Sequence, residues 1–316
     1  MSRLQPVMAL VGPTGVGKTE LSLQLAERLG AEIVSADSMQ VYRGMDIGTA
    51  KATARERERV PHHLIDLVDP DQEFSAAEYQ ERARAAIAAI SARGHLPMLV
   101  GGTGLYVRAA LDPYEFTEVE VDWAYREELR QLGEQHGATY LHNLLSEVDP
   151  WAAAKLHPND LRRVIRALEV HHHTGERISD WQAVSRQKPL IYDILMIGLT
   201  RPREELYERI EARVDAMIAE GLVDELRRLV ADGFDQESIA GQALGYKEFL
   251  PYLRGETTFD DAVQLLKRDT RRYAKRQLSW FRADPRVDWI DLSQHPSIGT
   301  VVDKIVQKVA ERFPIG

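Results

Sequence analysis

The stretch from Gly12 to Thr19, GPTGVGKT, has the spacing of a loop that binds phosphate groups. Its pattern is G-x-x-x-x-G-K-[ST], which lets backbone N–H groups surround an anion, adds a lysine charge and places a hydroxyl where it can coordinate Mg²⁺. We therefore predict a diphosphate-binding loop with Thr19 as its metal-binding residue. The loop consists of Gly12, Pro13, Thr14, Gly15, Val16, Gly17, Lys18 and Thr19.

The sequence on both sides of this loop supports the prediction. The apolar run Val7–Val11 is typical of a buried strand, and Leu21, Leu25 and Leu29 share one face of a helix that ends at Gly30. Strand, loop and helix therefore follow one another in the order that phosphate binding requires. The alternative, a glycine-rich turn with a solvated lysine, does not account for this context.

Asp37 is a second candidate, because it follows the apolar segment Ile33–Ala36. Open α/β sheets bind ligands beyond the carboxyl ends of their strands, so we expect Asp37 to face the same crevice as the loop. Its carboxylate could hold Mg²⁺ through water or accept a proton from a nucleophile. A turn or helix-capping aspartate is the structural alternative.

One feature of ATP-hydrolysing enzymes is missing from the expected place. Such enzymes need an apolar strand that ends in aspartate to hold Mg²⁺. Here the segment Met98–Val100 runs into GGTG, where Thr103 offers a hydroxyl, and the nearest substitute, Asp66, lies inside the apolar run Leu64–Val68. This weakens the case for ATP hydrolysis, but a kinase that uses ATP is still an alternative.

The order of apolar and helical segments predicts an α/β fold. Five runs are expected to form a parallel sheet, namely the four just named and Ile194–Leu199. About ninety residues separate Met98–Val100 from Ile194–Leu199. This length predicts a helical insertion, with helices at Trp123–Gln135 and Asp160–His173. We expect a P-loop NTPase-like core with helices flanking the sheet, formed by residues 1–114 and 191–316, and an all-α insertion domain at 115–190.

Composition limits the class of protein. The 316 residues include no cysteine and no apolar run as long as a membrane span, and we expect a cytoplasmic protein that does not enter membranes. The net charge of −9 argues against nonspecific coating of nucleic acid. Histidine pairs and triplets at 62–63 and 171–173 invite a metal site, but neighbouring residues on a helix point apart, so we interpret both as structural.

A basic segment, KRDTRRYAKRQLSWFR at 267–282, stands out against this acidic background. Its cations would share adjoining stripes of one helix, which favours an anion bound against them, and Tyr273, Trp280 and Phe281 could stack on unpaired bases. A solvated helix whose aromatic residues pack inward is the alternative. Arg162, Arg163 and Arg166 form a second positive cluster in the insertion.

Taken together in their order, these segments resemble the tRNA dimethylallyltransferases, also called tRNA isopentenyltransferases. The matching stretches run from about residue 7 to residue 282: GPTGVGKT, SADSMQVYRGMDIGTAK, HHLID, GGTGLY, HPNDLRRVIRALE, TGERIS, GYKE and RRYAKRQLSWFR. The resemblance implies transfer of a dimethylallyl group from dimethylallyl diphosphate to the exocyclic amine of the adenine 3′ of the anticodon. The tRNAs concerned would read codons that begin with U, and the loop would hold the diphosphate leaving group.

The resemblance also implies roles for individual residues. Lys18, Mg²⁺ on Thr19 and Arg213 would stabilise the departing diphosphate, Asp37 would act as general base, and Thr103 would contact the target nucleotide or the diphosphate. The anticodon stem-loop of the tRNA would be clamped between core and insertion, with its adenine flipped out of the stack. Its binding residues would be Asp37, Ser38, Met39, Gln40, Thr103, Arg163, Arg166, Gln242, Gly245, Tyr246, Lys247, Lys275, Arg276, Gln277, Trp280 and Arg282.

Two functions of other classes compete with this hypothesis. The first is a small-molecule or nucleoside kinase that binds ATP in the loop and uses the insertion as a lid. The second is a nucleotide switch or RNA-binding module without catalysis. The expected protein is a monomer.

Overall fold

The computed structural model describes residues 4–116, 119 and 121–313, apart from the side chain of Arg186. The chain divides into two compact units. The first contains the described residues up to Leu111 and those from Ile191 onward, and the second spans Asp112–Leu190.

The first unit is built on a six-stranded parallel sheet. Its strands are β1 (Gln5–Val11), β2 (Ala31–Ala36), β3 (His62–His63), β4 (Leu96–Gly101), β5 (Tyr192–Thr200) and β6 (Val287–Asp291). Their order across the sheet is β3-β2-β4-β1-β5-β6. The strand that precedes the phosphate loop, β1, therefore lies between β4 and β5 in the middle of the sheet, with Val11 beside Gly101 and Gly198.

Fourteen α-helices connect or flank these strands in the described part of the chain. In chain order they are α1 (Lys18–Leu29), α2 (Ala54–Arg59), α3 (Ala76–Ala92), α4 (Gly104–Leu111), α5 (Trp123–His136), α6 (Ala138–Val148), α7 (Pro150–Ala153), α8 (Leu161–Thr174), α9 (Ile178–Gln187), α10 (Arg203–Ala219), α11 (Leu222–Ala231), α12 (Leu250–Leu253), α13 (Phe259–Arg282) and α14 (Ile298–Arg312). The predicted α/β class is confirmed. Among the described helices, none combines the length and apolarity that crossing a bilayer requires.

The predicted third strand was wrong in its position. Strand β3 is formed by His62 and His63, whereas Leu64 and Asp66 have φ angles of 63° and 56°. These left-handed conformations break an extended strand. The carboxylate of Asp66 pairs with Lys51 at 2.6 Å and Arg57 at 2.7 Å, which supplies a reason for the turn: it directs Asp66 toward two cations.

The sequence also gave no expectation for the last part of the chain, which forms β6 and α14. Strand β6 extends the sheet beyond β5, and α14 packs against α1. Val301, Val302, Ile305 and Val309 recur at helical spacing on the buried face of α14. They join the apolar core under the sheet with Met8, Leu10, Leu25, Ile33, Ile197 and Ile290.

The second unit is a small helical domain made of α5–α9. Its core is formed by apolar side chains from facing helices, Leu129, Leu141, Leu145, Val164, Ile165 and Leu168. The two helices predicted there are present within one residue at each end. Asp122 caps α5 by accepting a hydrogen bond from the Tyr125 N–H, and Gly175 ends α8 with a φ of 70°.

Candidate active site

The phosphate loop lies between β1 and α1 and is tightly constrained by its glycines. Gly15 has a φ of 79°, and a Cβ atom added there would lie 2.8 Å from Cγ1 of Ile210. A Cβ at Gly12, where φ is 148°, would lie 2.8 Å from the carbonyl oxygen of Leu199. Side chains are thus excluded at both positions, which explains why glycine is required.

Side chains from distant segments brace the loop from outside. The Nε of Arg201 donates to the Val16 carbonyl at 3.1 Å, and the Nε of Arg209 donates to the Gly15 carbonyl at the same distance. The Thr14 N–H donates to Oε1 of Gln277 on α13 at 2.8 Å. These bonds fix the shape of the loop before any ligand binds, which lowers the ordering cost of binding an anion.

Lys18 is held inside the loop, and the pKa of its ammonium group is strongly lowered. Its Nζ donates to the carbonyl oxygens of Gly12 at 2.9 Å and Pro13 at 2.8 Å. Burial and the neighbouring charge of Arg213 lower the pKa of Lys18 to about 7, against the opposing effect of Asp37. A bound anion would favour the charged ammonium, so the loop is suited to a ligand that brings negative charge.

Arg213, on α10, faces the same space. Burial lowers its pKa from the ordinary arginine value, while Asp37 opposes that shift. Burial removes water from the charged forms of both Lys18 and Arg213, and this is the main reason that both pKa values are lowered. An anionic ligand beside them would stabilise both charged forms. This pairing supports the predicted role of Arg213 at the diphosphate.

Asp37 begins the loop that follows β2, beside the residues that follow β4. Its Oδ1 accepts a hydrogen bond of 3.0 Å from the Met39 N–H, so the carboxylate is oriented by its own turn. The hydroxyl oxygen of Thr103 accepts a 3.1 Å hydrogen bond from the Ser38 N–H. The structure therefore places Thr103 directly behind the Asp37 turn, where it holds this segment in position.

Tyr273 on α13, predicted either to stack on an unpaired base or to pack inward, lines the cavity described below. Burial and then the negative charge of Asp37 raise the pKa of its hydroxyl to about 12, partly opposed by hydrogen bonds with Thr103 and Gln277. The phenol therefore stays protonated at neutral pH and can act as a hydrogen-bond donor beside the carboxylate. Residues three apart on a helix lie side by side, so the spacing of Tyr273 from the predicted site residue Arg276 already indicated that Tyr273 belongs to the site.

These elements surround a cavity of about 500 Å³. One part of its wall is polar, with Lys18, Thr19, Asp37 and Arg213. Another part is apolar, with Val214, Met217, Ala243, Leu244 and Leu266. The cavity therefore offers both charged groups that can meet an anion and apolar side chains that can contact an apolar group.

The cavity brings together many, but not all, of the predicted site residues. Those on its wall are Thr14, Gly15, Gly17, Lys18, Thr19, Asp37, Ser38, Met39, Gln40, Arg213, Gln242, Gly245, Lys247, Arg276 and Gln277. Arg209, one helical turn before Arg213, also lines it and was missed. Its i, i+4 spacing from Arg213 was a usable signal.

Three predicted tRNA contacts are engaged within the protein instead. Tyr246 is fully buried and its hydroxyl donates to Glu225 at 2.7 Å. The amide of Gln277 is buried and bonded to Thr14 and Gly102. Gln40 accepts from the Ser35 hydroxyl and donates to two backbone carbonyls. Their side chains support the cavity wall, and their contact with tRNA stays a prediction.

The basic helix α13 is less uniformly charged than its sequence suggested. Acidic residues neutralise its first half through the pairs Lys267–Asp215, Arg268–Asp269, Arg271–Glu211 and Arg272–Asp269. In the second half, Lys275, Arg276 and Arg282 are exposed and form no ion pair within the described chain. Of these three cations, Arg276 lines the cavity. Trp280 is half-buried against Gly104 at the start of α4.

Within the helical unit, the two predicted arginines differ. Arg163 is exposed, with its Nε 3.5 Å from a carboxylate oxygen of Asp160. Arg166 instead joins Arg126 in an ion pair with the buried carboxylate of Glu169. Arg163 therefore keeps the exposure that RNA contact needs, while Arg166 stabilises the interior of its own unit.

The described residues offer few ligands for a metal. They contain no cluster of three or more histidine or carboxylate side chains suited to an ion. The histidines at 62 and 63 bond instead to the Val60 carbonyl and Glu32, and His173 pairs with Asp122. Thr19 does line the cavity, which fits Mg²⁺, because this ion is commonly held by substrate phosphates, water and few protein groups.

Comparison with known proteins decides the family. The family model described as IPP transferase matches residues 40–284. The chain belongs to the IPP transferase family. It is 55% identical over 309 residues to a tRNA dimethylallyltransferase of Symbiobacterium thermophilum, covering 98% of this chain and 96% of that relative. The enzyme of the same name from Bacillus subtilis is 53% identical, with 92% and 91% covered.

Solved structures of this IPP transferase family agree with the fold. A tRNA isopentenylpyrophosphate transferase from Bacillus halodurans superposes with a TM-score of 0.71 at 46% identity, covering 98% of each chain. A eukaryotic dimethylallyltransferase solved while acting on tRNA gives 0.78 at 32% identity, covering 96% of this chain and 79% of its own. The family resemblance inferred from the motifs is confirmed. The chain is an enzyme of the prenyl transferase class, and the kinase alternative is not supported.

Proposed function

We propose that this chain transfers the dimethylallyl group of dimethylallyl diphosphate to the exocyclic amine of the adenine 3′ of the anticodon. The tRNAs are those that read codons starting with U, and diphosphate is released. The observation that carries the proposal is the cavity itself. Lys18 and Arg213 are placed to meet an anion, and Asp37 lies on the same wall to meet an amine.

The sheet edge also argues against a phosphoryl-transfer site. A Cβ atom at Gly101, the last residue of β4, would lie 2.2 Å from the carbonyl oxygen of Ala36. An aspartate therefore does not fit at this strand end, where ATP-hydrolysing enzymes hold Mg²⁺. Asp66 cannot replace it, because its carboxylate is occupied by Lys51 and Arg57. A prenyl transferase needs no such residue, because no phosphorus atom is attacked.

The charged groups of the cavity would act on the leaving group. As the carbon–oxygen bond of the donor breaks, both bonding electrons pass to the diphosphate, and its growing charge is met by Lys18 and Arg213. Thr19 would hold Mg²⁺, which would supply further charge neutralisation at the leaving group. The apolar wall with Val214, Met217 and Leu266 would enclose the prenyl group and exclude water from it.

Asp37 would complete the reaction at the acceptor. The amine nitrogen forms the new bond to the allylic carbon and then carries one proton too many, which Asp37 accepts as general base. Its turn, fixed by Met39 and Thr103, keeps the carboxylate at a constant position for this transfer. Tyr273, protonated beside it, would donate a hydrogen bond that helps to orient the carboxylate or the base.

The acceptor adenine must leave the stack of the anticodon loop to reach this cavity. Exposed cations of α13, namely Lys275, Arg276 and Arg282, would hold the RNA backbone around it. Arg163 of the helical unit is also exposed and would contact RNA. Such contacts position the RNA without reading its sequence. A monomeric state and a cytoplasmic location stay predictions, and size-exclusion chromatography coupled to light scattering tests the first.

Labelled dimethylallyl diphosphate and unmodified tRNA test the proposal directly. After incubation with Mg²⁺, we expect label in a prenylated adenosine on nucleoside analysis and one diphosphate released per modified tRNA. Label in any other nucleoside would refute the assigned acceptor. Turnover of ATP, with no prenylation, would restore the kinase alternative. Tight tRNA binding without either reaction would favour the non-catalytic module.

A further inference from the structure

Glu225 occupies an unusual position for a carboxylate. It lies on α11, outside every sequence motif noted above, on the same face as the buried residues Leu222, Leu226 and Leu229. Only 4% of it is exposed. A charge on the apolar face of a helix is costly unless hydrogen bonds compensate it, so its partners indicate its role.

The partners of Glu225 are four uncharged donors from two separate segments. Its two oxygens accept from the backbone N–H groups of Asp46 at 3.1 Å, Ile47 at 2.9 Å and Gly48 at 3.2 Å. The fourth donor is the hydroxyl of Tyr246 at 2.7 Å. Successive N–H groups of this kind form a concave site for an anion, and here the anion is a side chain of the protein itself.

The two segments joined in this way are both part of the cavity wall. Gly48, Thr49 and Ala50 of the first segment line the cavity, and so do Ala243 and Gly245 of the second. The junction is tight, because a Cβ atom at Gly48 would lie 2.5 Å from the Tyr246 ring. Glu225 is therefore a clamp that holds two pieces of wall against each other.

The wall held by this clamp is bonded to the segment that carries the general base. The amide nitrogen of Gln40 donates to the carbonyl oxygens of Thr49 at 3.3 Å and Ala50 at 3.4 Å. Its amide oxygen accepts from the Ser35 hydroxyl at 2.9 Å. Gln40 is three residues after Asp37, so a shift of the clamped wall would move the Asp37 turn.

We propose that Glu225 is a positioning residue for prenyl transfer, which acts through the 46–50 wall and Gln40 on the placement of Asp37. The inference rests on the proposed function of the cavity. It assigns no contact between Glu225 and substrate. The phosphate loop is carried by β1 and α1 and braced by Arg201, Arg209 and Gln277, so diphosphate binding should be insensitive to the clamp.

The matched test compares Glu225→Gln with Asp224→Asn. Glutamine keeps the shape of Glu225 but replaces one acceptor oxygen with an NH₂ group that opposes the N–H donors. Asp224 is the neighbouring residue on α11, with a side chain that is 73% exposed, and its amide variant loses only a surface pair with Arg227. The measured quantities are kcat with both substrates saturating, the Kd of inorganic pyrophosphate with Mg²⁺, and Tm.

For Glu225→Gln we expect a fall in kcat of about tenfold or more, since small displacements of reacting groups cost rates of this order. The pyrophosphate Kd should stay within about twofold of the unaltered protein, and Asp224→Asn should match that protein in all three quantities. A folded Glu225→Gln with unchanged kcat would overturn the proposal. Equal losses of kcat and pyrophosphate binding would do the same, because they would indicate general damage.

A double-mutant cycle with Gln40→Ala separates positioning from mere stabilisation. If Glu225 acts through Gln40, its substitution should cost much less kcat once Gln40 is absent, whereas independent effects would multiply. Should Glu225→Gln fail to fold, Tyr246→Phe removes one donor and leaves three, and the same cycle with Gln40→Ala decides the question. If the unaltered protein transfers no prenyl group, the proposed function is refuted. If the unaltered protein and Glu225→Gln transfer it at equal rates, only the role of Glu225 is refuted.

Discussion

The amide oxygen of Gln277 accepts a 2.8 Å hydrogen bond from the backbone N–H of Thr14, which lies 263 residues earlier in the chain. The other end of the same amide donates to the Gly102 carbonyl at 3.0 Å. One buried side chain thus connects the basic helix, the phosphate loop and the segment after β4. The residues proposed to grip RNA and the residues proposed to hold diphosphate share a single rigid junction.

Substitution Gln277→Glu should weaken diphosphate binding. A carboxylate cannot donate to Gly102, and it places a negative charge beside the anion site, so we expect a Kd for pyrophosphate at least about tenfold higher. Isothermal titration calorimetry measures this. Gln264→Glu, an exposed position on the same helix, is the control and should bind as the unaltered protein does. Equal affinity in both variants would contradict the assigned role of Gln277.

Substitution Asp37→Asn should abolish transfer while sparing RNA binding. The amide keeps the size of the side chain but cannot accept the amine proton, so kcat should fall by at least about a hundredfold. A gel-shift titration should show a tRNA Kd within about threefold of the unaltered protein. Full activity of this variant would remove Asp37 from the reaction.

The lowered pKa of Lys18 predicts that anion binding takes up a proton. Without ligand, Lys18 is charged below about pH 7 and neutral above it, whereas the bound anion favours the charged form. Affinity for pyrophosphate should therefore weaken as pH rises above 7. Calorimetry at pH 8 in buffers of different ionisation enthalpy should report proton uptake.

Lys18→Met is the control for this pH effect, because it retains the titration of pyrophosphate itself but lacks the ammonium. The difference in proton uptake between the two proteins isolates Lys18. The stability of the fold should rise with pH above about 7, in the same direction as for an acidic residue whose pKa is lowered. The unfolded chain binds more protons between pH 7 and the ordinary lysine value of 10.5, so the cost of burying Lys18 is greatest below pH 7 and disappears as pH rises. Equal proton uptake by the unaltered protein and by Lys18→Met on binding pyrophosphate would refute the lowered pKa of Lys18.

The distribution of ion pairs on α13 predicts which cations contact the RNA backbone. Lys275→Ala and Arg276→Ala should each reduce the slope of log K against log salt by about one, since each removes one phosphate contact. Lys267→Ala should leave the slope nearly unchanged, because Lys267 already pairs with Asp215 at 2.6 Å. Filter-binding titrations across a salt series provide the measurement. A larger effect at Lys267 than at Lys275 would contradict this distribution.

Local patterns were sufficient to predict the phosphate loop and most of the sheet. The loop has a fixed spacing, and strands such as β1 and β5 are continuous apolar runs, as expected for parallel strands covered on both faces. The run Leu64–Val68 has the same character but folds differently. Its Asp66 is drawn to Lys51 and Arg57, and pairing between residues so far apart cannot be derived from apolar pattern alone.

The residues that hold the cavity wall in place could not be predicted from the sequence, also because their partners are distant in the chain. Glu225 looks in sequence like one of several charges on a surface helix, and only the fold brings the Asp46–Gly48 N–H groups to it. The charge pattern of α13 misled in the opposite direction. Seven cations against Asp269 suggested a uniformly basic face, but Asp215 and Glu211 on α10 neutralise two of them. Motifs identify chemical groups, and tertiary contacts decide which of them are free.

The sixth strand and the helix that follows it have a practical consequence for protein engineering. A chain cut after Asp284 would retain every motif noted in the sequence. It would nevertheless expose the unpaired hydrogen-bonding edge of β5 and uncover the apolar side of α1, a combination that promotes aggregation. Insoluble protein from such a truncation would therefore reflect a missing sheet edge, and would carry no information about whether the catalytic groups themselves are competent.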